Sequence, residues 1–181
     1  EVNSVIYNTN KWTPLYPACR EHHTEIVELL LNDKRIDPNE GESRDMTPFY
    51  IACEYGNIDI VKLLLNDERI DVNRIQKNGR TPLMSSILFG NKWSFEIVEY
   101  ILASRTYVNI IAKDDEGKTA ISIARERVRE GKETWESEEE FQEKKINQIK
   151  IVELLELYQG NPNETRFNLR IQLGQAGKYL I

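Results

Sequence analysis

The sequence predicts an all-α solenoid of four stacked helix pairs closed by a C-terminal cap helix, and three recurrences carry that prediction. The first opens a helix. Thr13-Pro14-Leu15, Thr47-Pro48-Phe49 and Thr81-Pro82-Leu83 return every 34 residues, and a weaker Thr119-Ala120-Ile121 follows after 38. The second is an apolar phrase: IVELLL from Ile26, IVKLLL from Ile60, IVEYIL from Ile97 and IVELLE from Ile151. The third is a linker: Asp37-Pro38-Asn39, Asp71-Val72-Asn73 and Tyr107-Val108-Asn109. Four copies of one unit follow, over about residues 1–34, 35–68, 69–106 and 107–159, with a cap over 160–181, all in a single domain.

Each element has a local reason. Threonine caps a helix N-terminus with its hydroxyl, and proline at the first helical position has its φ preset and no amide to leave unpaired. The helix that starts there is short and carries small residues on its inner face, Ala18 and Cys19, Ala52 and Cys53, then Ser85 and Ser86, which lets neighbouring backbones approach. It breaks at Gly56 or Gly90, where a left-handed residue ends a helix cheaply. The apolar phrase then forms a second helix with its large side chains three and four apart on one face. Neither helix buries its stripe alone, so stacking builds the core. Beyond Tyr158, Gly160 and Pro162 stop the chain, and Asn163 to Leu173 reads as a short helix with Phe167 and Ile171 four apart. Such a terminal segment shields an open apolar face, and Tyr179-Leu180-Ile181 packs on it or leads onward.

Composition excludes several functions. Of 181 residues 40% are apolar and 30% charged, with 24 Lys+Arg against 30 Asp+Glu and a net charge of −6, a folded composition with no basic surface for nucleic acid. No uncharged apolar run nears the roughly 20 residues that span a bilayer, so no membrane insertion is expected. The first residue, Glu1, points to a fragment or a processed chain. Cys19 and Cys53 hold equivalent places in the repeat. Equivalent positions on stacked helices lie roughly 8–10 Å apart, too far for a disulfide. Two buried free thiols are expected, and with them an intracellular, cytoplasmic setting.

No catalytic constellation emerges. His22 and His23 are adjacent in one loop and lack further donors for a metal. The Glu-rich stretch from Glu136 to Glu143 reads as a solvated helix face. Phosphate-binding glycine motifs and Cys-x-x-Cys are absent. Asn163-Glu164-Thr165 spells a glycosylation sequon, against which the thiols argue. No enzyme activity, cofactor or metal is expected.

The stretch TPFYIACEYGNIDIVKLLL, from Thr47 to Leu65, resembles the ankyrin repeat, and the resemblance extends to about Tyr158. This chain departs from that pattern in places. Asn32-Asp33 and Asn66-Asp67 stand where the family ends its second helix with Gly, and Asn is expected to take the left-handed exit there. Pro17 and His22 make the first repeat irregular. The resemblance implies finger-like turns projecting to one side, at Tyr7 to Trp12, Glu40 to Met46, Arg74 to Arg80 and Ala112 to Lys118, with Asn78-Gly79 and Glu116-Gly117 at their tips. It also implies a non-enzymatic protein–protein interaction module, or the recruiting domain of a larger enzyme. By match to the family, the groove-facing residues are Trp12, Ser43, Arg44, Met46, Glu54, Tyr55, Lys77, Arg80, Leu88 and Phe89. The partner is another protein, and the module itself is a monomer or self-associates weakly.

The fourth unit departs furthest. Thr to Ile spans 13 residues in the first two units, 16 in the third and 32 in the fourth. The added residues read as helix: Ser122 to Arg129 continues the first helix, Gly131 breaks it, and Ser137 with Glu140 forms a capping box. The second helix then runs from about Glu138 to Tyr158 with Phe141, Ile149, Val152 and Leu155 on one stripe. Lys144 and Lys145 interrupt that stripe, so the outer turns should protrude as an elongated helical hairpin. Trp135, Glu138, Glu139 and Phe141 there make a candidate second surface, suited to a basic partner or to self-association.

Overall fold

The computed structural model describes residues 13–90 and 92–175. Trp12, the finger from Tyr7 to Trp12, and Tyr179-Leu180-Ile181 lie outside the described residues. Within them are helices α1 (Leu15–Arg20), α2 (Thr24–Asn32), α3 (Pro48–Tyr55), α4 (Ile58–Asn66), α5 (Pro82–Leu88), α6 (Ser94–Leu102), α7 (Ala120–Arg129), α8 (Glu138–Gly160) and α9 (Pro162–Gln172). No strand occurs among the described residues. The helices α1, α3, α5 and α7 pack side by side in one layer, α2, α4, α6 and α8 form a second, and α9 lies on α6 and α8.

The helix starts obey the threonine logic with one exception. Thr47, Thr81 and Thr119 accept at their hydroxyls from Tyr50, Met84 and Ser122 N–H groups. Thr13 makes no such bond. The reason lies four residues on. In α3 the Ile51 amide closes the first turn on Thr47 O at 3.0 Å, but the equivalent of Ile51 in α1 is Pro17, which has no N–H. Tyr16 N–H bonds Thr13 O instead, at 3.2 Å, which tightens the turn and draws that amide from the hydroxyl.

Ala18, Cys19, Ala52, Cys53, Ser85 and Ser86 are all buried, as are Val27, Ile60, Val61, Leu64, Ile97, Val98 and Ile101 on the second helices. His22 adopts φ 63° where the later pairs have Gly56 at 73° and Gly90 at 55°, so a histidine fills a glycine position. The left-handed exits expected at Asn32 and Asn66 do not form. Helices α2 and α4 end on extended residues instead, Asp33 (φ −81°, ψ 106°) and Asp67 (φ −86°, ψ 119°). Each carboxylate then holds the arginine two residues on, Arg35 or Arg69. The break after α7 is likewise an extended residue, Glu130 (φ −64°, ψ 141°), and Gly131 takes no left-handed conformation.

Helix α8 opens with the expected capping box, Glu140 N–H to Ser137 Oγ at 3.1 Å and Ser137 N–H to Glu140 Oε2 at 3.0 Å. Its 23 residues span about 35 Å. The inner stripe differs from the expected one. Gln148, Ile151, Leu154, Leu155 and Tyr158 are buried, whereas Ile149 is exposed and Val152 half-buried. Alternate steps of three and four from Phe141 pass through Lys144 and Gln148, so polar side chains occupy the inner line and disguise it. No residue from Glu138 to Asn147 is buried, so the outer turns form a hairpin with little core. The tip is pinned by an ion pair between Lys144 and the buried Glu136 at 3.2 Å.

In α9 the docking residue is Leu169, while Phe167 and Ile171 face outward. Arg170 anchors the helix by donating to Ala103 O and Ser104 O at 2.9 and 2.8 Å, which satisfies carbonyls left open at the end of α6. Arg69 does the same at the first junction, with 2.8 Å bonds to Leu31 O and Ile36 O. The Asn57 side-chain amide donates to Cys19 O in the last turn of α1. The linker asparagines explain the third recurrence: Asn39 donates to Arg69 O and accepts from Asp71 N–H, and Asn73 pairs in the same way with Tyr107 O and Asn109 N–H.

Candidate partner-binding surface

Each finger is a tight turn closed on its own backbone. Glu42 N–H bonds Met46 O at 3.2 Å, Gln76 N–H bonds Arg80 O at 3.1 Å, and Asp114 N–H bonds Lys118 O at 3.0 Å. The turn requires one left-handed residue, supplied by Asp45 (φ 61°), Gly79 (φ 76°) and Gly117 (φ 76°) at equivalent places. At Gly79 a side chain would also sit 3.0 Å from Asp114 Cα, so glycine permits the next finger's close approach. Single backbone bonds join neighbours: Lys77 N–H to Arg44 O and Asp115 N–H to Asn78 O, both 3.0 Å. The fingers therefore stand in a row.

Between this row and the C-terminal ends of α1, α3 and α5 lies a groove of about 510 Å³. Tyr16, Tyr50 and Ile51 are its buried residues on the helices. Ser43, Arg44, Met46, Gln76 and Arg80 contribute from the fingers, with Arg20, Glu54, Tyr55 and Phe89 from the helix ends. Tyr50 accepts at its hydroxyl from the Gln76 side-chain amide, and Arg20 lies 5.9 Å from the Tyr55 ring centroid. Burial pushes the Tyr16 and Tyr50 hydroxyls up to about 12, so both stay neutral near physiological pH. Burial also raises the Glu54 carboxyl.

The structure brings together seven of the ten nominated residues: Ser43, Arg44, Met46, Glu54, Tyr55, Arg80 and Phe89. Lys77 does not line the groove; it is exposed on the adjacent finger with Nζ donating to Ser43 O. Leu88 is half-buried and packs on the core, so the core accounts for its apolar side chain. Phe89 is 50% exposed, so the groove accounts for it better. Sequence reasoning missed Tyr16, Arg20, Tyr50 and Gln76. A signal existed: Arg20 holds the place in the first repeat that Glu54 and Leu88 hold in the next two, and Tyr16 and Tyr50 both stand three residues after the helix-opening threonine.

The second nominated surface is less coherent. Trp135 is 79% exposed and borders a separate cleft with Lys92, Glu136, Glu140, Glu143 and Lys144. Glu138, Glu139 and Phe141 do not line it. Glu138 is held by Lys132 and Gln142, and Phe141 is half-buried with Lys145 Nζ 5.5 Å from its ring centroid.

Cys19 and Cys53 are buried free thiols whose burial pushes their ionisation well up, the opposite of a reactive cysteine. Among the described residues no cluster of His, Cys, Asp or Glu has the geometry to hold a metal ion, and no helix is long and apolar enough to cross a membrane. The chain matches the family described as ankyrin repeats (3 copies) over residues 1–76 and again over 35–114. It belongs to the ankyrin-repeat family, whose members serve in general as protein–protein interaction modules. No curated protein matches it.

Proposed function

We propose that residues 1–181 form one ankyrin-repeat domain, with the repeat and cap boundaries given above, that binds another protein through the finger groove and carries out no catalysis itself. The observation that supports this is the convergence of Arg20, Arg44, Tyr55, Arg80 and Phe89 on one open groove, since arginine and aromatic side chains supply most binding energy at protein interfaces. The acidic net charge favours a protein partner over nucleic acid, and the two free buried thiols favour an intracellular, cytoplasmic protein. A recruiting domain within a larger enzyme would use the same groove.

The test replaces Arg44 and Tyr55 by alanine together. Arg80 is left in place because it pairs with the almost wholly buried Asp114 carboxylate 3.4 Å behind it, so its loss would disturb the next finger as well as the groove. Affinity for a partner isolated with the native protein is expected to fall by more than about 1 kcal/mol with unchanged melting; unchanged affinity would move the site elsewhere. A second reading rests on Trp135, whose exposure at the hairpin tip has no structural cause. It makes the tip a second contact surface, and replacing Lys132 to Asn147 by a short Gly-Ser turn should then remove one interaction, or a weak dimer, from a protein that still folds.

A further inference from the structure

We propose that Gln76 is a contact residue of this groove and that the groove takes an extended segment of the partner, one of whose main-chain amides pairs with the Gln76 side-chain amide; the inference rests on the groove being the binding surface. Glu42, Gln76 and Asp114 hold one place in successive fingers, each closing its turn through its own N–H. Their side chains do different things. Glu42 locks its own finger, with Oε1 accepting from Arg44 N–H at 2.7 Å and Oε2 from Ser43 Oγ at 2.8 Å. Asp114 does likewise, with Oδ1 accepting from the Glu116 and Lys118 amides at 3.0 and 2.9 Å. In the middle finger Asn78 takes over this task, its Oδ1 accepting from Arg80 N–H at 3.1 Å. Gln76 is released from the turn. It reaches to α3 instead and donates to the Tyr50 hydroxyl.

That bond fixes the amide and leaves half of it unused. Gln76 is half-buried, and its second N–H and its carbonyl oxygen have no partner among the described residues. Tyr50 is 1% exposed and neutral, so it holds the amide in place without offering a charge. A donor and an acceptor side by side on one planar group complement another amide. A helix spends its main-chain amides on itself, so a docked helix would cover Gln76 and leave both groups desolvated and unpaired. An extended segment carries a free N–H and C=O at each residue, and Met46, Tyr55 and Phe89 line the same groove for its side chains.

Peptides selected from a random display library on the whole protein test this, through N-methylation of each main-chain amide in turn. One methyl is expected to cost about fivefold or more in affinity. The same methyl should cost little against Gln76→Ala, so that the two losses do not add. Gln76→Met, which keeps the length of the side chain without its amide, is assayed beside it, and an unchanged melting curve confirms the fold of each variant. Peptides that lose binding when Arg44 and Tyr55 are replaced by alanine, yet show no methyl position coupled to Gln76, would overturn the main-chain contact while leaving the groove as the site. Coupling of Gln76 to an Asn or Gln side chain of the peptide alone would overturn it in the same way. Peptides indifferent to all of these substitutions, or no binder at all, would overturn the groove itself.

Discussion

Arg35 and Arg69 form the same local fork, and only one of them reaches beyond it. Each bonds its aspartate from the backbone amide at 3.0 Å, from Nε at 2.9 Å and from a terminal nitrogen at 2.6 Å. Arg69 alone also donates to Leu31 O and Ile36 O of the preceding repeat, at 2.8 Å each. Its side chain is 28% exposed against 73% for Arg35. Arg69→Ala therefore opens two carbonyls at a repeat junction and leaves an Asp67 side chain that is 10% exposed with only its bond from the residue-69 backbone amide. At about 1 kcal/mol for each interaction in this partly solvated setting, the loss is about 2–3 kcal/mol, or a fall of about 5–10 °C in melting temperature for a chain of this size. Arg35→Ala should leave the unfolding midpoint unmoved. Urea unfolding followed by far-UV circular dichroism measures both, and hydrogen exchange locates the loss, with amides of α1 and α2 losing protection in the Arg69 variant first. If the two variants unfold together, the junction bonds are not what stabilises the first repeat.

Leu64, wholly buried in α4 between α2 and α6, should cost about 2–5 kcal/mol on replacement by alanine; a loss below about 0.5 kcal/mol by urea titration would show its environment to be misread. Cys19 and Cys53 should resist a thiol reagent at pH 8 in the native protein and react in denaturant, because burial keeps both protonated. Glu99 is buried where α9 crosses α6, accepts from the Gln172 side chain at 2.9 Å, and has its ionisation raised chiefly by burial. A carboxyl raised in the folded state loses its proton first in the unfolded chain, so stability falls as pH rises through the ordinary carboxylate range toward the folded value. Glu99→Gln should abolish that part of the decline, read as a smaller difference in urea midpoint between about pH 4 and about pH 7.

The fold was legible because the signals that set it are local and repeated. Thr-Pro starts, small inner residues and the apolar phrase each recur at one spacing, and each acts on its own helix. The errors arose where one residue changed a hydrogen bond that the pattern does not spell. Pro17 removes the amide that lets Thr13 cap α1, and Asp33 and Asp67 replace a left-handed exit with an arginine fork. In α8 the inner line runs through Lys144 and Gln148, so a search for apolar side chains settles on Ile149 and Val152, one position away. Phe167 and Ile171 misled in the same manner, since α9 docks by Leu169 and the guanidinium of Arg170. The groove was legible as far as family position reached. Tyr50, Gln76 and Arg20 escaped because their importance comes from three repeats meeting, a distance no single phrase records.

The junction donors mostly point backward along the chain. Asn57 reaches Cys19 O, Arg69 reaches Leu31 O and Ile36 O, and Arg170 reaches Ala103 O and Ser104 O. On the ribosome this sets an order. Asn57 and Arg69 follow the carbonyls they bond by roughly one repeat and Arg170 by roughly two, so the first unit can close early in synthesis whereas the end of α6 waits for the cap. The final latch is Arg170. A chain truncated ahead of it would leave α6 to fray although every residue of that helix is present.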